Sequence, residues 1–172
     1  MKKIAAFFLS TALLLSLAGC SKSDKPDKNN PVTLTIWHTY VEGMRGSFDE
    51  LVSEFNTTVG AKNGITVTVT AIANASVINE QIIAAADRDP GASEMPDMAV
   101  IYPKVAVTLA EKGVLAELGG QFSQKELDAF VPQFVEEGRL GGDKFYLLPI
   151  AKSTEVLYLN RTLFDRFSAA ID

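Results

Sequence analysis

Three β-branched runs, each followed by a segment of helical period, constrain this chain more than any other feature. VTLTIW at 32–37 alternates branched and apolar residues and predicts a strand. Residues 47–59 then carry Phe48, Leu51, Val52, Phe55 and Val59 at helical spacing, with Ser47 and Glu50 placed like a capping box. Asn63 and Gly64 break the chain before ITVTVT at 65–70, a second strand. Helical period returns over 76–87, where Ile78, Ile82 and Ile83 share one side. A loop through Pro90 and Gly91 leads to a third strand, DMAVIY at 97–102; Pro103 suits the first turn of a following helix and Gly113 its end. A βαβαβα order predicts a parallel sheet with helices on its faces, so the fold class is α/β.

Ligands on such sheets collect beyond the carboxyl ends of the strands. The residues there are His38, Thr39 and Tyr40 after the first strand, 73–76 after the second and 102–104 after the third. Trp37, Tyr40 and Tyr102 suit stacking against the aliphatic face of a sugar. For Trp37 plain core packing is the stronger reading, because alternation along the strand decides its face. His38 is the only histidine and Cys20 the only cysteine, so a metal site is not expected and His38 is read as a hydrogen-bonding or capping residue.

Later segments are less regular. Ser123 and Glu126 form a capped helix start ahead of Leu127 and Phe130, with Pro132 limiting its length. Gly141, Gly142 and Asp143 make a turn, KFYLLP at 144–149 a short strand, 154–159 another β-rich run, and 161–167 the start of a helix. Lys152 and Ser153 could hold an anion, the lysine as a point charge and the hydroxyl as a donor; an ordinary solvated lysine is the equal alternative.

The N-terminus reads differently. Lys2 and Lys3 precede an uncharged run over 4–17 that closes in LAGC at 17–20, a secretory signal too short to span a bilayer comfortably. That ending resembles a bacterial lipobox, which implies removal of 1–19 and a diacylglycerol on the sulfur of Cys20. No disulfide is expected from a single cysteine. SKSDKPDKNNP at 21–31 carries no large apolar residue and reads as a flexible leash. Residues 32–172 suffice for one core, read as a lobe over 32–150 followed by a crossing segment over 151–172. The net charge of −5 argues against nucleic acid, which needs clustered Lys and Arg.

Catalytic signatures are missing: there is no Gly-x-Ser-x-Gly, no His-Glu-x-x-His and no phosphate-cradling glycine loop. Glu136 and Glu137 are adjacent, so their carboxylates point apart and suit a solvated face better than a glycosidase pair. A surface lipoprotein hydrolase acting on carbohydrate and a non-binding structural lipoprotein are the alternatives to a binding protein.

LTIWH at 34–38, EFN at 54–56, Pro96-Asp97, and FYLLP at 145–149 with STEVLYLN at 153–160 together resemble the family 1 extracellular solute-binding proteins of bacterial ABC importers. The resemblance implies a periplasmic-binding-protein-like type II fold of two α/β lobes that close on a solute, here truncated before most of the second lobe. It implies a monomer without cofactor, lipid-anchored on the extracytoplasmic face, whose partners are a small solute and ABC permease subunits. The nearest subgroup binds glycerol 3-phosphate or sugars; Trp37, His38, Ser153 and Thr154 sit where it carries similar residues, and the matched serine contacts the ligand phosphate. The subgroup's tyrosine falls on 75–77 here and its glutamate near Pro103, so those two contacts are not carried over.

Overall fold

The computed structural model describes residues 25–142, 144–153 and 156–171. The chain divides into two compact units, the first ending at Val100 and the second beginning at Ile101. That division falls inside the segment expected as one lobe.

The first unit is built on a parallel sheet. Strand β1 (Val32–His38) pairs with β2 (Ile65–Ala71) along its whole length, from Val32 opposite Ile65 to His38 opposite Ala71. On its other side β1 pairs with β3 (Met98–Ala99), giving the order β2-β1-β3. Trp37 and His38 are consecutive, hence on opposite faces, and both are buried, so the carboxyl end of β1 is covered on both sides.

Helix α1 (Glu42–Phe55) connects β1 to β2, widens into a π turn over Asn56–Gly60 and closes through Ala61–Asn63. It starts five residues earlier than the sequence predicts. Val41 is its N-cap without a side-chain bond and Ser47 lies inside it, so the Ser47–Glu50 capping box does not form. Gly43 and Gly46 are carried within the helix; each glycine costs only about 1 kcal/mol there. Gly64 ends the helical stretch at φ 68, and a side chain at that position would also meet the backbone of Asp27.

Asn56 secures the sheet edge. Its Nδ2 donates to the Val67 carbonyl at 2.8 Å and its Oδ1 accepts from the Val67 N–H at 2.7 Å, so one amide side chain stands in for a neighbouring strand. Helix α2 (Ala75–Asp87) follows β2, capped by Asn74, whose Oδ1 accepts from the Val77 N–H; it buries Ile78, Ile82 and Ala85 at helical spacing.

β3 is shorter than the six residues expected, and at its start a side chain takes the place of ladder bonds. The Asp97 carboxylate accepts from the Thr35 N–H (2.8 Å) and hydroxyl (3.0 Å), and the Asp97 N–H donates back to that hydroxyl. Beyond Ala99, the Val100 N–H still reaches the Trp37 carbonyl at 2.8 Å.

In the second unit helix α3 (Pro103–Glu111) has Tyr102 as N-cap and proline in its first turn, and buries Ala106 and Leu109. Helix α4 (Gln124–Leu127) carries the expected Ser123–Glu126 capping box, and α5 (Pro132–Glu136) again opens on proline and buries Val135. Strands β4 (Arg139–Leu140) and β5 (Lys144–Phe145) form an antiparallel hairpin through Gly141 and Gly142, both at positive φ. Phe145 is this unit's anchor: 2% exposed, edge-on to Phe122, with Arg139 over its ring.

The predicted strand over 144–149 stops at Phe145. The predicted strand over 154–159 is not observed over 156–159, and its first two residues lie outside the described residues. Leu157 is 96% exposed; without a partner strand to take its backbone groups, β propensity alone does not make a strand. Helix α6 (Arg161–Ile171) forms as expected and presents Leu163, Phe164, Phe167 and Ile171 to solvent.

Candidate functional site

The carboxyl end of β1 brings three rings together. The strand delivers His38 into the interior, the chain turns through Thr39 and Tyr40, and α1 returns Phe48 in its second turn. Ring centroids lie 5.4 Å apart for His38–Tyr40, 5.1 Å for His38–Phe48 and 5.3 Å for Tyr40–Phe48, the last two edge-on.

His38 is fully buried, and its Nδ1 accepts a hydrogen bond from the Tyr40 N–H at 3.1 Å. An accepting Nδ1 places the proton of a neutral imidazole on Nε2. That Nε2 is buried too, yet has no partner among the described residues. Burial holds the His38 pKa below its ordinary value; Asp49 opposes the shift and Arg45 adds to it. Asp49 and Arg45 pair with each other on α1 at 3.7 Å. Burial likewise raises the Tyr40 phenol pKa. The corner therefore offers a neutral, desolvated N–H donor between two aromatic rings. Such a group can donate to a hydroxyl, carbonyl or phosphate oxygen while the rings take an apolar face.

The other expected site residues fall elsewhere. Trp37 is 7% exposed on the opposite sheet face from His38, packed as core, with its carbonyl bonded to Val100. Tyr102, in the second unit, is 61% exposed at the start of α3, its carbonyl accepting from the Val105 N–H. In the same unit the Lys152 ammonium pairs with the Glu137 carboxylate and lies 5.3 Å from the centroid of the Phe134 ring. Ser153 beside it is exposed. Thr154 and Cys20 lie outside the described residues. Among the described residues no group of three His, Cys, Asp or Glu is placed to hold a metal ion, and no helix is long and apolar enough to cross a membrane.

Two groups escaped the sequence reading as site residues. Phe48 counted only as helix core; its place at the first inward turn after the strand end was the available signal. Asn79 on α2 has a buried Oδ1 without a partner, a second unsatisfied polar atom in the first unit that no periodicity reveals.

Residues 50–171 match the family model described as bacterial extracellular solute-binding protein. No curated protein sequence matches significantly. Several solved structures do. A cyclic α-maltosyl-1,6-maltose binding protein from Arthrobacter globiformis is 22% identical with a TM-score of 0.54, over 66% of this chain and 27% of its own. A Thermus thermophilus maltotriose binding protein bound with maltotriose gives 22% and 0.53, over 67% and 28%. A structure from work on xylan utilization by Caldanaerobius polysaccharolyticus gives 21% and 0.62, over 80% and 33%. At such identities the likeness is one of fold, and the chain spans a third or less of these relatives. The parallel β2-β1-β3 sheet agrees with them, and the family match extends over most of the sequence: this chain belongs to the bacterial extracellular solute-binding proteins.

Proposed function

We propose that this chain is the solute-contacting N-terminal part of a lipid-anchored, extracytoplasmic binding protein that delivers a sugar or related polyol to an ABC importer. The observation that carries this reading is the His38 Nε2–H, buried without a partner at the carboxyl end of the central strand between Tyr40 and Phe48. A buried donor left unmade costs about 1 to 3 kcal/mol, a cost that a ligand oxygen would remove. Tyr40 would stack on the solute and Trp37 supports the strand from behind; Tyr102, from its strand-end position in the sequence, and Ser153 and Thr154, by resemblance, are kept as solute contacts of the complete fold. The solved structures of similar fold include proteins whose names carry maltotriose and cyclic maltosyl-maltose, which favours a carbohydrate. A neutral sugar is preferred to a glycerol phosphate because Arg45, the cation of α1 that acts on His38, already has Asp49 as its carboxylate partner.

Because His38 is the sole histidine, its side-chain signal in ¹⁵N NMR is unambiguous even when binding is weak. Titration with maltotriose, xylotriose and glycerol 3-phosphate should move the Nε2–H resonance with a sugar and leave it with the phosphate. If none of the three shifts it at the highest concentration that stays in solution, the site lies elsewhere.

A further inference from the structure

We propose that Lys152 is a positioning residue rather than a solute contact: its ammonium, held by Glu137 and the face of Phe134, clamps the 146–153 segment onto the α5 turn and so fixes where Ser153 stands. The clamp's consequence for binding rests on the reading of Ser153 as a solute contact; the clamp itself does not. Residues 146–153 have no regular structure; 146–149 are half-buried and 150–153 exposed, so the far end depends most on specific bonds. At one end the Tyr146 and Leu147 N–H groups both donate to the Gly138 carbonyl, at 2.9 and 3.3 Å. Glycine is required there, because a side chain at 138 would collide with the Leu147 carbonyl. At the other end Lys152, alone among the described residues there, reaches back to the same turn, and it makes two favourable contacts at once, an ion pair and a cation–π contact. Glu136, the adjacent carboxylate, is bonded to Arg139 at 3.1 Å, so each acid on this turn has its own cation. Glu137 is thereby left to Lys152, and the segment is pinned on both sides of 148–151, immediately before Ser153.

The test is amide hydrogen exchange on the solute-free chain, comparing wild type with Lys152→Met, Lys152→Arg and Glu137→Gln. A partly exposed ion pair plus a cation–π contact corresponds to about a three- to fivefold change in local opening. Exchange across 146–153 should rise by that factor in Lys152→Met and Glu137→Gln, stay near wild type in Lys152→Arg, and be unchanged over 65–71. Unaltered exchange over 146–153 in Glu137→Gln would overturn the clamp. A second arm follows the His38 resonance during maltotriose titration. Weaker binding in both Lys152→Met and Glu137→Gln supports the clamp. Tighter or unaltered binding in Glu137→Gln beside weaker binding in Lys152→Met makes Lys152 a solute contact and refutes it. If wild type takes up no maltotriose, the exchange result alone decides the clamp, and the solute reading fails separately.

Discussion

His38 joins two properties that are seldom compatible: complete burial and an unsatisfied donor. The Tyr40 N–H fixes its tautomer, and desolvation keeps the ring neutral. This has a consequence for stability. The folded-state pKa lies below the value of 6.5 for the free side chain, so as pH falls through that value the unfolded chain takes up a proton that the folded chain refuses. Stability should therefore be level above 6.5, decline from there down to the lowered folded pKa, and receive no further loss from this residue below it. The charged groups that modulate the window are Asp49, which narrows it, and Arg45, which widens it. Thermal unfolding of wild type and His38→Gln between pH 5 and 8 checks the sign. The difference between the two should shrink on acidification, and a difference that grows toward low pH would mean that His38 is stabilised in its charged form. Much of this corner was legible in the sequence, because a histidine and a tyrosine directly after a β-branched run must stand at a strand's carboxyl end. The tautomer and the missing acceptor were not, since both depend on how the turn through Thr39 folds back.

Elements were legible in proportion to how local their causes are. β1 and β2 are set by β-branched alternation and match their expected spans almost to the residue; Pro103 and the Ser123–Glu126 box mark helix starts through contacts within one turn, whereas Pro132, read only as limiting the preceding helix, opens the separate helix α5. Errors arose where a distant partner decides. The start of β3 is held by the Asp97 carboxylate bonding to Thr35, 62 positions away, and the Lys152–Glu137 pair joins residues that no sequence window holds together. Asn56 is the clearest case, a helix-end amide that completes the edge of a strand. Asn56→Ala would leave the N–H and carbonyl of the buried Val67 unpaired, at a cost of about 1 to 3 kcal/mol. Asn56→Asp should cost at least as much, since a carboxylate can still accept from the N–H but repels the carbonyl. Urea unfolding of both variants measures this; a loss below about 0.5 kcal/mol in each, the range of ordinary surface changes, would show that water replaces the amide.

At the scale of the molecule, apolar side chains remain uncovered along one stretch. From 156 to 171 the chain exposes Val156, Leu157, Tyr158, Leu159, Leu163, Phe164, Phe167 and Ile171, each more than half accessible. Single exposed apolar residues are ordinary, but a run of this length is what a chain shows when the partner surface lies elsewhere. The chain spans a third or less of its structural relatives, and the family resemblance implies two lobes that close on one solute. Both facts lead to one expectation. Produced alone, the 172 residues should bind maltotriose no tighter than millimolar, because a half-enclosed solute keeps most of its hydroxyls in water and its few protein bonds compete with solvent. Limited proteolysis should cut first within 156–160, where exposed backbone lacks strand partners, and leave β1, β2 and α2 intact. Joining this chain to a sequence that supplies the rest of such a fold should protect 150–171 and tighten binding together, since one surface serves both. Protection without a gain in affinity would place the solute away from His38, and micromolar binding by the 172 residues alone would show that one part of the fold encloses the solute unaided.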